Sequence, residues 1–298
     1  MKQNFLSIFI FIIISFSNVF SQVTTEQLYY GASSLSMAAS DIAMPKTSWS
    51  LFVNAAGLAK QRGLTLVASS QSQFNQDFLS HSLLGVQFKT SKYGSFGFSV
   101  EKFSVDYSGN NLSAETAIGF HQGIMLRSDR SSSFSIGYGI KSYNIDYGSS
   151  AGPSGDGSDG IKLGSLSTFG LDISFLGSLA DRIKVGAKAL NINSPTLGDA
   201  NNSTRLPQRS QIGIAYSPYD LVWTTASLNK SIGHPTHFSS GLSYEIQKNT
   251  FLRAGIQTSP NRFSSGFEIY FKKIKIDYGF ITHPVLPLSH QISIEVNR

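Results

Sequence analysis

Residues 262–281, RFSSGFEIYFKKIKIDYGFI, set the pattern from which the rest of the chain is interpreted. In the first half one face carries Phe263, Ser265, Phe267, Ile269 and Phe271, and the other carries Ser264, Gly266, Glu268 and Tyr270. In the second half Ile274, Ile276, Tyr278 and Phe280 alternate with Lys275, Asp277 and Gly279. Alternation with a period of two indicates β-strands. One face of each strand suits lipid, and the other tolerates charge.

The same pattern recurs from Gly63 to the last run, which carries Ile292, Ile294 and Val296. About fourteen such runs can be counted, and even strand numbers are usual in bacterial outer-membrane barrels. Charged residues make up 14% of the chain, well below the roughly 25% of soluble proteins. The sequence therefore predicts an all-β fold, a transmembrane antiparallel β-barrel of about 14 strands formed by residues 63–298, in contact with outer-membrane lipid.

Connection lengths support a membrane barrel, because such barrels alternate short periplasmic turns with longer extracellular loops. Tight connections are predicted at Ser91–Gly94, Ser128–Ser131, Ser178–Asp181, Ser217–Asp220, Gln247–Asn249 and Lys272–Lys273. They alternate with mostly longer ones at Gln73–Ser80, Ser108–Ser113, Gly148–Gly164, Asn193–Pro207, Gly233–Pro235, Ser259–Asn261 and His283–Leu288. A soluble sandwich has no reason to keep this parity.

Residues 1–21 have the features of a secretory signal peptide. Lys2 precedes an apolar run, Phe5–Phe16, and small residues end the segment at Ser21. The apolar run is shorter than the roughly 20 residues of a membrane-spanning helix, so an anchor is the weaker alternative. We expect cleavage before Gln22 and a mature protein in the outer membrane of a Gram-negative bacterium.

Charge and residue chemistry indicate neither nucleic-acid binding nor catalysis. The formal charge is +6, but Lys and Arg form no run or stripe, which argues against nucleic acid. Cysteine is absent. The pair His234 and His237 lacks further metal ligands, and the glycine-rich segment Gly152–Gly160 lacks the acidic spacing of a calcium loop. We expect no cofactor, metal or catalytic residue, although a barrel can assemble an enzyme site from residues distant in sequence.

The stretch Gly31–Lys60 differs from everything after it, since it is rich in small residues and poor in alternation. Ala32–Ala43 has helix-tolerant spacing, and Pro45 should interrupt any helix there. We predict that residues 22–62 form a lead-in and a short, partly helical N-terminal hatch in the barrel lumen.

Two strands change phase, which predicts irregularities in the wall. In Ser95–Tyr107 the apolar set moves from even to odd positions, and in Ser133–Tyr147 it does the same. A bulge would restore the facing, so bulges are predicted near Glu101–Lys102 and Lys141–Ser142. Side chains predicted to face the lumen include Lys184, Lys188, Glu268, Lys275 and Asp277.

The N-terminal stretch resembles the PorV/PorQ family of Bacteroidota outer-membrane proteins, which is related to the fatty acid transporter FadL. The family pattern is approximately G-x-x-x-L-G-M-G-G-A, a short acidic segment, and F-x-N-P-A-G-L. The matching residues, which define a hatch motif, are Gly31, Leu35, Met37, Phe52, Asn54, Ala56, Gly57 and Leu58. The closing hairpin, with Asp277–Phe280 and His290–Ser293, is also similar. Departures occur where the family has glycine (Ser36, Ala38, Ala39), proline (Ala55) and acidic residues (Lys46, Thr47).

The resemblance implies a fourteen-stranded barrel with a lumenal hatch and a role linked to type IX secretion and cell-surface attachment. The main hypothesis is therefore a non-enzymatic outer-membrane subunit or accessory that binds secretion-system proteins or secreted cargo. The alternative is a FadL-like channel for hydrophobic small molecules, which needs an apolar pocket beside the hatch and a lateral opening. A third possibility is a structural barrel without transport.

Overall fold

The computed structural model describes residues 29–90, 92–107, 109–150, 152–155, 158–199 and 202–298, so the predicted signal peptide lies outside the described residues. Fourteen strands close into one antiparallel barrel, which confirms the predicted fold class. The strands of the wall are β1 (Leu64–Ser72), β2 (Leu79–Lys89), β3 (Ser95–Tyr107), β4 (Asn110–Ser128), β5 (Ser133–Asp146), β6 (Ser165–Leu179), β7 (Ile183–Leu190), β10 (Arg209–Tyr216), β11 (Val222–Ser231), β12 (His237–Gln247), β13 (Thr250–Gln257), β14 (Arg262–Phe271), β15 (Ile274–Ile281) and β16 (Ser289–Asn297).

The outer face of this wall is apolar. Large side chains that point outward include Leu84, Phe98, Ile118, Ile140, Phe175, Ile214, Leu242, Phe267, Ile276 and Ile294, each more than one-third exposed. The residues between them are buried in the lumen, for example Glu268 and Asp277. Alternation of this kind is that of a barrel with lipid outside and a polar interior. Closure leaves no strand edge along the paired parts of the wall.

The connections alternate in length as predicted. One rim, the turn end, is formed by the short connections 90–94, 129–132, 180–182, 217–221, 248–249 and 272–273. The opposite rim, the loop end, has the long connections 147–164 and 191–208. One predicted loop is wrong: β3 and β4 are separated only by residues 108–109, because the polar residues from Asn110 onward continue strand β4 beyond the apolar belt.

The second long loop contains structure of its own. Residues Thr196–Asp199 and Asn202–Arg205 pair as the antiparallel hairpin β8–β9. The loop base is closed by the Leu206 amide, which donates to the Pro195 carbonyl over 2.9 Å. Leu197 and Leu206 are each 2% exposed, so this hairpin packs against the barrel instead of projecting into solvent.

Both predicted bulges are wrong. Glu101 and Lys102 pair without interruption with Leu83 and Ser82 on one side and with β4 on the other. The ladder is equally continuous across Lys141 and Ser142. The observed irregularities lie elsewhere, between Val105 and Asp106, between Met125 and Arg127, and between Glu245 and Gln247. The phase changes have another cause: near the loop end the apolar residues face the lumen, and the polar ones face outward.

The N-terminal segment, residues 29–61, lies inside the barrel and is partly helical. It contains helices α1 (Ala32–Ser36) and α2 (Ser50–Val53) and short 3₁₀ turns at Asp41–Ala43, Thr47–Trp49 and Ala55–Lys60. Another 3₁₀ turn, Gln73–Asn75, follows β1. No helix in the described part of the chain has the length and apolarity needed to cross a membrane. We call residues 29–61 the hatch.

Candidate functional site: the plugged lumen

The hatch runs through the lumen from the loop end to the turn end. Near its start, the Tyr29 hydroxyl donates to Gln257 at the loop end of β13 over 2.7 Å. Near its finish, Gln61 Nε2 donates to Thr65, close to the turn end, over 2.8 Å. Side chains along the hatch are almost all buried. The lumen is therefore filled along much of its height.

A belt of small inward-facing residues makes room for the hatch. At each glycine of this belt, an added Cβ would lie within about 3 Å of a hatch atom; they are Gly85, Gly97, Gly123, Gly137, Gly186, Gly213, Gly241, Gly255, Gly266 and Gly279. Serine and threonine supply small polar contacts on other strands. The hatch amide of Ala32 donates to Ser293 Oγ over 2.7 Å, and Ser40 and Thr225 share a hydrogen bond of 2.6 Å. The belt was visible in the sequence as an inward glycine or serine in strand after strand.

The two glycines of the hatch motif are required by close contacts. Gly31 has φ +87°, and an added Cβ would lie 2.9 Å from the Trp49 ring. At Gly57 an added Cβ would lie 2.4 Å from Ser50 Oγ and 3.0 Å from the Pro45 ring. A side chain at either position would force the hatch segments apart.

The other motif residues hold the hatch together. Asn54 accepts from the Ala56 amide over 3.1 Å and donates to the carbonyls of Ile42 (2.9 Å) and Phe175 on β6 (3.0 Å). It thus joins two turns of the hatch to the wall. The apolar motif residues Leu35, Met37, Phe52 and Leu58 are at most 4% exposed. The structure places the motif in internal packing, away from any surface that a partner could reach.

Ala38 and Ala39 adopt left-handed backbone conformations, with φ 51° and 56°. They occupy positions where the PorV/PorQ pattern has glycine. A left-handed alanine costs roughly 1–2 kcal/mol relative to its ordinary conformation. The backbone at this bend is therefore one that glycine would adopt at lower cost.

An ionic cluster attaches one side of the hatch to the wall. Lys46 contacts Glu268 and lies 2.7 Å from Asp277. Arg253 bridges the same two carboxylates at 2.8 and 3.4 Å. Both acids are at most 1% exposed, so these cations compensate charges that would otherwise be costly to bury. Next to them, the hatch hydroxyl of Ser48 contacts Glu295, which also pairs with Lys275.

The opposite side of the hatch is aromatic. Tyr30 stacks on Phe52 at 5.9 Å between ring centroids, and Phe52 packs on Trp49 at 5.8 Å. The ammonium of Lys188 lies 5.1 Å from the Tyr30 ring centroid. Burial, with the nearby Glu101 carboxylate, raises the pKa of Tyr30 to about 12. The five lumen-facing predictions are confirmed in direction, and three of them, Lys188, Glu268 and Asp277, are buried.

Polar side chains elsewhere in the hatch are also enclosed. Asp41 is 5% exposed and accepts from Ser34 Oγ over 2.9 Å. Burial raises the pKa of Asp41, while the Ser34 hydrogen bond opposes that shift. A carboxyl in this environment is easier to accommodate when neutral.

Towards the loop end one part of the lumen wall becomes apolar, next to the buried polar side chains of Glu115, Lys141 and Asp172. Ala117, Tyr143 and Ile145 on β4 and β5 form a buried cluster with Leu197 and Leu206 of the hairpin loop. We call these five residues the apolar layer. It is the consequence of the phase change that the sequence showed in β5, and it lies between the hatch and the loops.

The wall next to this layer is incompletely paired. The register of β6 with β7 ends at Ile173 and Ala189, although β6 continues to Ser165 and pairs with β5 along that length. Asn193 replaces part of the missing ladder, since its side chain accepts from the Leu171 amide and donates to the Phe169 carbonyl, both over 2.9 Å. The upper edge of β6 is thus held by a side chain and the hairpin loop.

At the turn end the lumen opens into a cavity of about 680 Å³ under the hatch. Basic residues line it, among them Lys60, Arg62 and Lys275, together with aromatic residues from the wall. On the other side of the hatch, a space of only about 20 Å³ remains between it and β4–β6. Sequence patterns did not indicate the larger cavity, because its lining combines the hatch and the start of β1 with six strands that are distant in sequence.

The histidine pair and the glycine-rich segment noted in the sequence make ordinary structural contacts. Across the described residues, no three His, Cys, Asp or Glu side chains come together as a metal site. His237 starts β12, with Nδ1 3.3 Å from the Thr258 carbonyl oxygen. In the glycine-rich loop, Asp159 accepts from the amide and hydroxyl of Ser154 over 3.2 and 2.5 Å.

The fold and lumen define a class: closed fourteen-strand transmembrane barrels plugged by their own N-terminal segment. No protein-family profile matches the sequence, and no curated protein does. Among solved structures, the chain is similar to the Pseudomonas putida toluene transporter TodX, with TM-score 0.61, 12% identity, and 91% of this chain and 99% of that chain covered.

Two further solved structures show the same likeness. The monoaromatic hydrocarbon channel CymD has TM-score 0.61 and 12% identity, covering 92% of this chain and 98% of that chain. A Pseudomonas aeruginosa FadL homologue has TM-score 0.54 and 11% identity, covering 90% and 98%. These likenesses establish a FadL-like fold.

Proposed function

We propose that this protein is an outer-membrane channel for hydrophobic small molecules, of the size of a single aromatic ring with short substituents. The observation that carries the proposal is the apolar layer, where Tyr143 and Ile145 face the lumen and meet Leu197 and Leu206. A site for an uncharged apolar solute needs this kind of lining. The similarity to TodX and CymD, solved as a toluene transporter and a hydrocarbon channel, supports the same reading.

The route follows from what blocks the lumen. Below the apolar layer, the hatch contacts most of the wall, so a straight path would require it to move. Beside the layer, the edge of β6 above Ile173 that faces away from β5 has no ladder, and it is held by Asn193 and by the Ile192 amide, which donates to the Leu171 carbonyl. A solute that displaces the two leucines can leave sideways past this edge into the bilayer. No catalytic step is involved.

The proposed location is supported by the barrel architecture. The barrel spans the outer membrane of a Gram-negative bacterium, with the turn end in the periplasm and the loop end outside, as is usual for such barrels. Residues 1–21 direct export and are removed. Outer-membrane lipid covers the apolar outer face.

The test is uptake of radiolabelled toluene by cells that lack other hydrophobic channels, with and without this protein. We expect faster initial uptake when the protein is present. Ile145→Asn, which places an amide in the apolar layer, should remove most of that gain, whereas Ser227→Ala on the far wall should keep it. Folded barrel in the membrane without any gain in uptake would overturn the proposal.

A second candidate is the type IX secretion role implied by the PorV/PorQ resemblance. It is favoured by apolar side chains presented at the loop end, where Ile161 is 76% and Val285 87% exposed, as a protein partner would require. In this case the protein is a Bacteroidota accessory that binds secretion components or cargo. Affinity purification from outer membranes should recover such components with the wild type and lose them with Ile161→Ser and Val285→Ser. Purification that recovers none contradicts this role.

A further inference from the structure

The cavity at the turn end has a composition that the proposed channel does not use. It lies between the hatch, strands β11 to β16 and the start of β1, and its volume is about 680 Å³. Pockets for small organic ligands are typically roughly 300–1,000 Å³. The cavity therefore has the size of a ligand site, on the opposite side of the hatch from the apolar layer.

The charges in its wall are unequally matched. Two carboxylates line the cavity, but Glu268 pairs with Lys46 and Arg253, and Glu295 pairs with Lys275. On the rim, Lys60, Arg62 and Arg298 form no side-chain ion pair within 4 Å among the described residues, although the Asp181 carboxylate acts on Lys60 from outside the cavity. The cavity thus presents cations that no carboxylate of its own wall pairs with.

The opposite wall of the cavity is aromatic. The rings of Phe251 and Tyr270 are in contact, with centroids 5.7 Å apart. Trp223 is half-buried, and the Lys184 ammonium lies 4.1 Å from its ring centroid. Such a wall supplies apolar area in a site that also attracts negative charge.

We propose that this cavity binds a small amphipathic organic anion, a carboxylate carried on an aromatic ring or short apolar chain. The carboxylate meets Arg62 and Lys60, for which a guanidinium offers paired hydrogen bonds, and the apolar body lies against Phe251, Tyr270 and Trp223. The site is separate from the apolar layer, and its occupancy does not depend on hydrocarbon transport. An acidic protein segment is the competing occupant, but it would leave the aromatic wall unused.

Trp223 allows a direct test, because the chain has only two tryptophans and the other, Trp49, is 1% exposed within the hatch. In the Trp49→Phe protein, 4-bromobenzoate should quench Trp223 fluorescence along a saturable curve, since bromine quenches on contact. The uncharged analogue 4-bromobenzyl alcohol should bind at least about tenfold more weakly, and added salt should weaken only the benzoate.

Substitutions then test whether Lys60 and Arg62 bind the carboxylate of the probe. Lys60→Gln with Arg62→Gln should weaken 4-bromobenzoate about tenfold, and Arg62→Gln alone, at an exposed position, should give part of that loss without disturbing the hatch. Lys248→Gln, in a neighbouring turn outside the cavity, is the matched control and should bind as the parent does.

Three outcomes would overturn the proposal. They are quenching that does not saturate, equal affinity for the alcohol, and full affinity in the Lys60 and Arg62 variants. Displacement of the probe by hexaglutamate as effectively as by benzoate would also overturn it and assign the cavity to an acidic protein segment. Toluene uptake is measured separately, so failure here leaves the channel proposal intact.

Discussion

Adding a single methyl group at Gly137 should loosen the hatch. An alanine Cβ at this position would lie 2.2 Å from the Ala56 nitrogen and 2.3 Å from the Ala55 carbonyl carbon. Both are backbone atoms, so no flexible side chain can move aside. Either the hatch or strand β5 must shift by the better part of an ångström.

The magnitude can be worked from the contacts that such a shift disturbs. Overpacking of a well-filled interior typically costs about 1–3 kcal/mol. Ala56 also accepts from Ser135 over 2.9 Å and donates to Ser174 and Asn54 over 3.0 and 3.1 Å, and a weakened hydrogen bond adds up to about 1 kcal/mol. Replacing glycine with alanine also lowers the conformational entropy of the unfolded chain, which stabilises the folded state by about 0.5–1 kcal/mol. The expected net loss in unfolding free energy is about 2 kcal/mol.

The assay is urea unfolding in detergent, followed by the mobility difference between folded and unfolded barrel on gels. The fluorescence emission of Trp49, measured in a Trp223→Phe background, reports whether the buried hatch becomes exposed to solvent. Gly177→Ala on the adjacent strand is the control, because the nearest atoms lie 3.9 Å from its added Cβ. Gly137→Ala as stable as Gly177→Ala, with unchanged Trp49 emission, would refute the proposed close contact.

Two further predictions concern buried charge in the hatch. Asp41→Asn should raise stability at pH 7.5 and lose that advantage towards pH 4. Burial raises the pKa of Asp41 in the folded state, so its favourable neutral form is present at low pH and lost as pH rises through that pKa. The control Asp77→Asn changes an exposed carboxylate and should show no such trend. A stability difference between Asp41→Asn and the wild type that does not change with pH would contradict this reasoning. Lys46→Met should lower the free energy of unfolding by about 3 kcal/mol, because Glu268 and Asp277 lose one of their two cations. A urea midpoint equal to that of the wild type would contradict this and show that Arg253 alone compensates both carboxylates.

Strand positions could be predicted from sequence, because lipid on one side and a polar lumen on the other impose alternation. Phe267 and Glu268 illustrate this, since neighbours in the chain are 42% and 0% exposed. The same logic led to an error at Lys141, where it assumed that apolar side chains always face lipid. In the loop-end half the hairpin supplies a second apolar partner inside, so Tyr143 and Ile145 turn inward without a bulge.

The lumen could be predicted only in outline. The small residues of Gly31–Lys60 pointed to a plug, and the structure places residues 29–61 there. Contacts such as Asn54 with Phe175, 121 positions apart, join segments whose proximity depends on barrel closure. The turn-end cavity has the same origin, because Lys60 and Trp223 meet only after fourteen strands have closed.

The central claim is that a hydrophobic solute occupies the apolar layer while the hatch keeps the lumen closed beneath it. The most direct measurement is anomalous diffraction from crystals of the protein with 4-bromotoluene. We predict a bromine peak among Tyr143, Ile145 and Leu206, with residues 29–61 in place. Bromine found only at the outer lipid-facing surface, or a displaced hatch that leaves a straight water-filled path, would contradict the account.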